Sequence, residues 1–228
     1  MRLKHIIKFK KFYNKNINFI TIDGIACSGK TFLSNFLKKN FKNSLIISKD
    51  LFLLSRSKRI KITKLLQKKN YDQNNIHYDL NKLKSLFYFL LDGRKKKIVL
   101  KKLYNRKSGK NNLTKSFYYK KNRNIIYEGI YTNNDIKKIT KPSLKILLIA
   151  NVYTSIFRKI ERIRDRKISI QNLVNEFLKI HLTSFIKYLK QNHFNLVYAD
   201  FSKNFTIMKN GKLKQINDIK KFLHKHQN

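Results

Sequence analysis

Hydrophobic and polar positions alternate along this chain in two rhythms. Short apolar runs, each closed by a polar or acidic residue, recur at about Ile17–Asp23, Ser44–Ser48, Asn124–Tyr127, Leu144–Ala150 and Asn195–Ala199. They read as five buried strands. Between them the helix-face positions fall three and four apart, first at Phe32, Leu33, Phe36 and Leu37, then at Leu80, Leu83, Leu86, Phe87, Leu90 and Leu91, and again at Val174, Phe177, Leu178, His181, Phe185 and Leu189. That spacing predicts amphipathic helices, the second of them ended by Gly93. Further helices are expected near Ser57–Lys69 and Thr154–Ile163, an extended segment at Ile98–Tyr104, and a polar basic loop over Asn105–Asn122. Phe205–Lys209 and Lys212–Ile216 flank Asn210-Gly211, a hairpin signal, before a short C-terminal helix. Strands alternating with helices predict an α/β fold, a three-layer sandwich around a mainly parallel five-stranded sheet. Ligands of such sheets gather at the carboxyl ends of the strands.

The first strand runs straight into Gly24-Ile25-Ala26-Cys27-Ser28-Gly29-Lys30-Thr31, followed by Phe32 and a helical pattern. Strand, glycine-bracketed turn and helix N-terminus form the context of a phosphate-binding loop, G-x-x-x-x-G-K-T. Its amides and the helix dipole favour an anion, Lys30 can reach the β- and γ-phosphates, and the Thr31 hydroxyl is placed to ligate Mg²⁺. The chain has only 6 glycines, so two at this spacing before Lys-Thr imply a nucleoside triphosphate ligand, and the fold expected is that of a P-loop NTPase.

Composition adds limits. At 228 residues the chain suits one domain, with a core at about 17–200, a lid at about 158–170, and a C-terminal hairpin and helix at about 203–226. No apolar run is long enough to cross a bilayer, and the basic stretch Met1–Lys15 has no long apolar core, so neither a signal nor a transit peptide is expected. One cysteine excludes a disulfide framework and fits a reducing, cytoplasmic setting. The net charge of +41 is spread along the whole chain, and 43 of the 53 basic residues are lysine. With abundant Asn, Ile, Phe and Tyr, this is the product of AT-rich coding DNA, and it predicts salt-sensitive, non-specific association with nucleic acid rather than a dedicated surface. Arginines and acids therefore carry more information. Four arginines fall within Arg158–Arg166, and Asp23, Asp50 and Glu128 close apolar strands.

Asp50 either meets a hydroxyl acceptor or caps the segment after it. Glu128 either binds Mg²⁺ through water, holds a substrate hydroxyl, or ends its strand in solvent. Arg158, Arg162, Arg164 and Arg166 either close over phosphates as a lid or form a solvated helix face with Glu161 and Asp165. Arg56 and Arg59, just beyond Asp50, would suit a phosphorylated acceptor.

Gly24–Thr31, Asp50-Leu51-Phe52, Tyr71-Asp72, Leu91-Asp92-Gly93, Tyr104, Glu128-Gly129-Ile130-Tyr131 and Arg162-Ile163-Arg164-Asp165 occur in an order that resembles the uridine kinase / phosphoribulokinase-like P-loop kinases, from about Asn18 to Ala199. The resemblance implies ATP-dependent, Mg²⁺-dependent phosphorylation of a primary hydroxyl, typically the 5′-hydroxyl of uridine or cytidine. Asp50 would be the base and Thr31, Asp50 and Glu128 the Mg²⁺ neighbourhood. Asp72 would grip ribose, Tyr104 would line the nucleoside pocket, and Arg162 and Arg166 would reach the phosphates. The chain departs from the family after Tyr104, where Asn105–Gly109 carries no base-reading His, and in a lid turn without Arg-Gly. Sibling acceptors are a nucleoside monophosphate or a pantothenate- or nicotinamide riboside-like compound. A homo-oligomer is compatible with the family, and a nucleic-acid-binding P-loop NTPase is the reading from a different class.

Overall fold

Each of the five apolar runs forms a strand. The computed structural model describes residues 19–41, 43–67, 75–137, 139–150, 152–163, 169–201 and 204–209. In chain order the strands are β1 (Phe19–Gly24), β2 (Ser44–Ser48), β3 (Lys97–Asn105), β4 (Lys110–Tyr118), β5 (Asn124–Gly129), β6 (Leu144–Ala150), β7 (Leu196–Phe201) and β8 (Asn204–Lys209). The helices are α1 (Lys30–Asn40), α2 (Arg56–Gln67), α3 (Leu80–Asp92), α4 (Thr132–Ile136), α5 (Val152–Ile163), α6 (Ile170–Glu176) and α7 (Thr183–Gln191), with a 3₁₀ turn at Lys49–Phe52.

The main sheet has the order β2-β5-β1-β6-β7-β8. Its first five strands are parallel, as expected, and β8 adds a sixth, antiparallel to β7 with Phe201 opposite Asn204. The sheet is thus six-stranded, and β8 includes the first arm of the hairpin read around Asn210-Gly211, a turn that itself lies outside the described residues. Its arm at Lys212–Ile216, the C-terminal helix and the basic N-terminus lie outside the described residues.

Side chains of β1 alternate between two packed faces. Ile20 and Ile22 meet Leu33 and Leu37 of α1, while Phe19 packs with Phe87 of α3 and Tyr127 of β5. A third cluster joins Leu147 and Ile149 of β6 to Phe185, Tyr188 and Leu189 of α7. Helices therefore cover both faces, which a buried parallel sheet requires.

Two further expectations need correction. Asn105–Asn122 is not a loop: β3 and β4 pair antiparallel, Lys97 opposite Tyr118 and Leu103 opposite Leu113, in a separate two-stranded sheet. Most of its outward positions are solvated, so the ribbon shows only scattered apolar residues such as Leu103, Leu113 and Phe117. The stretch from Val174 to Leu189 is not one α-helix either. A π-helical turn at Phe177–Leu182 separates α6 from α7, and its wider pitch turns both Phe177 and Leu182, five residues apart, into the core.

Beneath the carboxyl end of β2 lies a buried ion pair. Lys49, the first residue of the 3₁₀ turn, is fully buried and places Nζ 2.8 Å from Asp135 of α4. It also donates to the Ile130 carbonyl and the Asn75 side chain, and faces the Tyr78 ring at 4.5 Å. The Tyr127 hydroxyl donates to the same Asp135 oxygen at 2.6 Å. One ammonium thus joins the turn after β2, the segment before α3, the turn after β5, and α4. Asn75–Asp79 is held against the 3₁₀ turn by backbone bonds from Leu54 to His77 and from Asp79 to Phe52. Asp79 then caps α3, accepting from the Lys82 amide at 3.1 Å and pairing with its ammonium at 2.8 Å.

These contacts predict two stability effects. Lys49→Met and Asp135→Leu should each cost about 3 to 5 kcal/mol, since each strands the other's charge in the interior. The double variant should be more stable in urea unfolding than either single one, and strictly additive losses would show that the two charges are not coupled. At Asp79, partial burial would raise the carboxyl, but the Lys82 amide and ammonium outweigh it and hold it below the usual aspartate range. An acid with a depressed folded value contributes stability above its unfolded value and loses it as pH falls through the folded one. Asp79→Ala should therefore cost about 1 kcal/mol at neutral pH. The gap between the two melting curves should close in acid below the normal aspartate range.

Candidate active site

The glycine-bracketed loop occupies the turn from β1 into α1. Gly24 has no room for a side chain, since a Cβ there would stand 2.5 Å from the Leu148 carbonyl oxygen. Gly29 ends the loop at φ 95°, a left-handed conformation that frees the backbone to enter α1. Lys30 folds back over the loop and donates to the Gly24 and Ile25 carbonyls at 2.9 and 2.8 Å. Burial pushes its ammonium down from the usual lysine value, and the nearby carboxylates of Glu128, Asp50 and Asp23 oppose that shift. Thr31 and Phe32 are exposed on the first turn of α1, Ala26 and Cys27 are half-buried, and Ile25 and Ser28 are buried in the loop's underside. From α5, Arg158 reaches the Cys27 carbonyl at 3.3 Å.

The strand register brings the acids together. Glu128 of β5 lies opposite both Ile22 of β1 and Ser48 of β2, and Asp50 follows Ser48 by two residues. Glu128 is the penultimate residue of its strand, and it is buried rather than solvated. Burial raises its carboxyl, while Lys30, its hydrogen bond with Ser48 and the charge of Arg106 in the β3–β4 turn pull it back. Asp50 is exposed at the mouth. Gly129 allows the close approach, because a Cβ there would stand 2.5 Å from Cβ of Lys49.

Asp23, the third strand-end acid, points to the opposite face and is fully buried. It accepts from the Thr132 amide and hydroxyl, at 2.8 and 2.5 Å, and from the Tyr188 hydroxyl at 2.8 Å. Burial raises its carboxyl against those donors. It joins β1 to α4 and α7 beneath the loop.

A cavity of about 170 Å³ beside the loop is lined by residues including Ile25, Ala26, Leu53, Arg59, Tyr78 and Tyr131. Tyr78 lies within electrostatic reach of both Asp50 and Arg59, and burial raises its phenol well above the usual value. Tyr104 does not line this cavity. Its hydroxyl accepts from Arg59 at 2.8 Å and its ring lies under the guanidinium at 5.0 Å, so it acts on the cavity through Arg59. Asp72 and Arg166 lie outside the described residues. Arg162 belongs to α5, but its side chain is outside them as well.

Residue type and spacing point to Gly24–Thr31, Asp50 and Glu128, but not to Lys49 and Asp135. Lys49 is one lysine among 43, and nothing local marks it as the buried one. Arg106 lies in a basic, polar segment that carries no strand signal of its own.

Among solved structures, the fold is similar to a D-glycerate 3-kinase of Cryptococcus neoformans, with TM-score 0.55, 12% identity, and 90% of this chain and 96% of that one covered. It is also similar to a possible uridine kinase of Bacillus stearothermophilus, with TM-score 0.50, 15% identity and 82% and 89% covered. The phosphoribulokinase of Rhodobacter spheroides follows at TM-score 0.51, 13% identity and 83% and 74% covered. In sequence, the chain is 28% identical over 211 residues to a DNA-directed RNA polymerase subunit alpha of Euglena longa, covering 89% of each. The family described as Phosphoribulokinase / Uridine kinase family matches residues 19–204, so the loop, both cleft carboxylates and the sheet that aligns them all fall within the match. The chain belongs to the phosphoribulokinase / uridine kinase family.

Proposed function

We propose that this protein is an ATP-dependent small-molecule kinase that transfers the γ-phosphoryl group of Mg-ATP to a hydroxyl group. The observation that carries the reading is the meeting of the Gly24–Thr31 loop, Asp50 and Glu128 at the carboxyl ends of three adjacent parallel strands, with Lys30 in electrostatic reach of both carboxylates. Phosphoryl transfer needs mainly positioning and neutralisation of charge, and these groups suit both. Loop amides and Lys30 hold the phosphates. Asp50 takes the acceptor's proton as its oxygen bonds to the γ-phosphorus and the bond to the leaving ADP breaks. Arg162 and Arg166 belong to the lid, at about 158–170, that covers the phosphates within a single kinase domain.

Among the described residues, no group of three or more His, Cys, Asp or Glu forms a metal site on its own. Mg²⁺ does not require one, since it takes one or two protein ligands along with phosphate oxygens and water. Thr31, Asp50 and Glu128 fit that requirement, and Mg²⁺ there would neutralise charge on the transferred group. The acceptor implied by the family resemblance is uridine or cytidine through its 5′-hydroxyl, with Asp72 on the ribose and Tyr104 beside the pocket.

A second reading is favoured by the +41 charge and by the similarity to an RNA polymerase subunit: a P-loop NTPase whose hydrolysis is driven by nucleic acid. No helix of the described residues is long and apolar enough to cross a membrane.

The test is ADP release by the purified protein with Mg-ATP and a panel of nucleosides, nucleotides, hydroxy acids and vitamin-like alcohols. Asp50→Asn is expected to lower kcat by about 10²- to 10⁴-fold with little change in the KM for ATP. Lys30→Met is expected to lower kcat about 10²- to 10³-fold through lost charge stabilisation. Should no acceptor work, while added RNA speeds hydrolysis equally in the parent and Asp50→Asn, the kinase reading fails and the second one stands.

A further inference from the structure

We propose that a groove between α3 and β3 docks an extended acidic peptide, which adds to the free edge of β3 as a third strand of the ribbon. None of the residues lining this groove belongs to the cleft, so the proposal stands apart from the kinase reading.

β3 and β4 form a sheet of two strands, so each has one edge without a neighbour. The Tyr119 amide donates to the Lys96 carbonyl, and two residues on Ile98 lies opposite Phe117. Bonded and non-bonded pairs alternate along an antiparallel ladder. Ile98 therefore turns its backbone groups to β4, while Lys97 and Val99 turn theirs away from it. Among the described residues, no backbone group answers them. The edge closes further along, where the register shifts after Leu100 and Lys82 of α3 donates to the Lys102 carbonyl at 3.5 Å. The open stretch is thus residues 97–100, beside a groove of about 840 Å³. Lys97, Ile98 and Val99 all line it, which three consecutive residues of a strand do where a groove follows the strand's edge.

Two chemistries line the groove. Its floor is apolar, made by Phe89, Ile98 and Ile139 of the cluster beneath, with Tyr88 and Leu91 of α3 exposed at its side. Its rim carries Arg94, Lys95 and Lys97 against one acid, Asp92, which Arg94 already holds at 2.6 Å. Lys97 lies over the neutral Tyr118 ring at 5.4 Å, and among the described residues no carboxylate pairs with it or with Lys95. Main-chain bonds at an edge accept any strand, and side chains make the choice. Those of an added strand alternate between faces, so apolar ones meet the floor on the Ile98 side and acidic ones meet the rim on the Lys97 side. The same lysines bar a second copy of this chain, whose own edge is equally basic.

The probe is a labelled octapeptide of alternating glutamate and valine, blocked at both ends, and its binding to the full chain is read by fluorescence anisotropy. A glutamate–glycine octapeptide of equal charge measures the general attraction of a +41 chain. The valine peptide is expected to bind about tenfold more tightly through its apolar face, and to slow hydrogen exchange at the Lys97 and Val99 amides. Methylating the backbone nitrogens that face β3 should abolish binding, whereas methylating the alternate set should not. The sensitive set is the glutamates if the peptide adds antiparallel and the valines if it adds parallel. Val99→Pro removes an outward N–H that β4 does not use, so the ribbon persists while affinity falls about tenfold. Lys95→Glu combined with Lys97→Glu, which leaves the backbone edge intact, should lower affinity for the valine peptide about tenfold as well. The proposal is overturned if the glycine peptide binds as tightly, if neither methylation matters, or if Val99→Pro leaves affinity unchanged. It also falls if sedimentation shows a dimer that Val99→Pro dissolves, which gives the edge to a second copy. An oligothymidylate of equal charge that binds more tightly and slows the same two amides would overturn it in favour of nucleic acid.

Discussion

A lysine ammonium with no access to water sets the geometry of this molecule. Lys49 is held by Asp135, the Ile130 carbonyl and Asn75, and each belongs to a different segment. An unpaired charge at that depth is intolerable, so the 3₁₀ turn after β2 can adopt its position only when α4 and the turn after β5 adopt theirs. Asp50 is the next residue along. Its exposure at the mouth of the cleft follows from the burial of its neighbour, because successive residues of a turn point in different directions. Gly129 completes the constraint, since any side chain there would collide with Lys49.

A second buried charge performs the same service from below. Asp23 ends β1 and gathers Thr132, Asn133 and Tyr188, and therefore α4 and α7, under the phosphate-binding loop. The two networks share α4, whose Thr132 and Asn133 answer Asp23 and whose Asp135 answers Lys49. That helix has only 5 residues and little stability of its own. Polar contacts hold it, and through it the floor of the loop is coupled to the wall of the cavity. Burial raises both Asp23 and Glu128 above the ordinary range, so the folded chain bears a cost for keeping carboxylates where the chemistry wants them.

The parts of this architecture that were legible in the sequence are those built on periodicity and on short motifs. The five parallel strands, α1 and α3 with its Gly93 cap follow from apolar spacing, and the loop from two glycines before Lys30-Thr31. What was illegible depends on partners distant in sequence. Lys49 and Asp135 are 86 positions apart by their numbers, and neither neighbourhood is unusual. The β3–β4 ribbon was hidden because a solvated strand in a lysine-rich chain carries the same residues as a loop. The π turn at Phe177–Leu182 was hidden because one extra residue in a turn shifts the apolar rhythm too little to show in a single sequence. Tyr104 contacts Arg59 rather than the cavity itself, a pairing that nothing in its own neighbourhood signals.

The charge of the chain makes most sense when the site is set against the rest. Only 12 acidic residues oppose 53 basic ones, yet Asp23, Asp50, Glu128 and Asp135 all lie at the carboxyl end of the sheet. A lysine spread over the whole surface attracts every polyanion, ATP and nucleic acid alike, and falls off with salt. It raises the rate of encounter without choosing a ligand. Choice requires charges that are buried, aimed and balanced locally, because only these are insulated from screening. In this fold they are Lys30 with Glu128 in the cleft, and Lys49 against Asp135 beside the cavity. Arg59 differs from both: Leu54 and Tyr104 aim it, and among the described residues no carboxylate forms an ion pair with it.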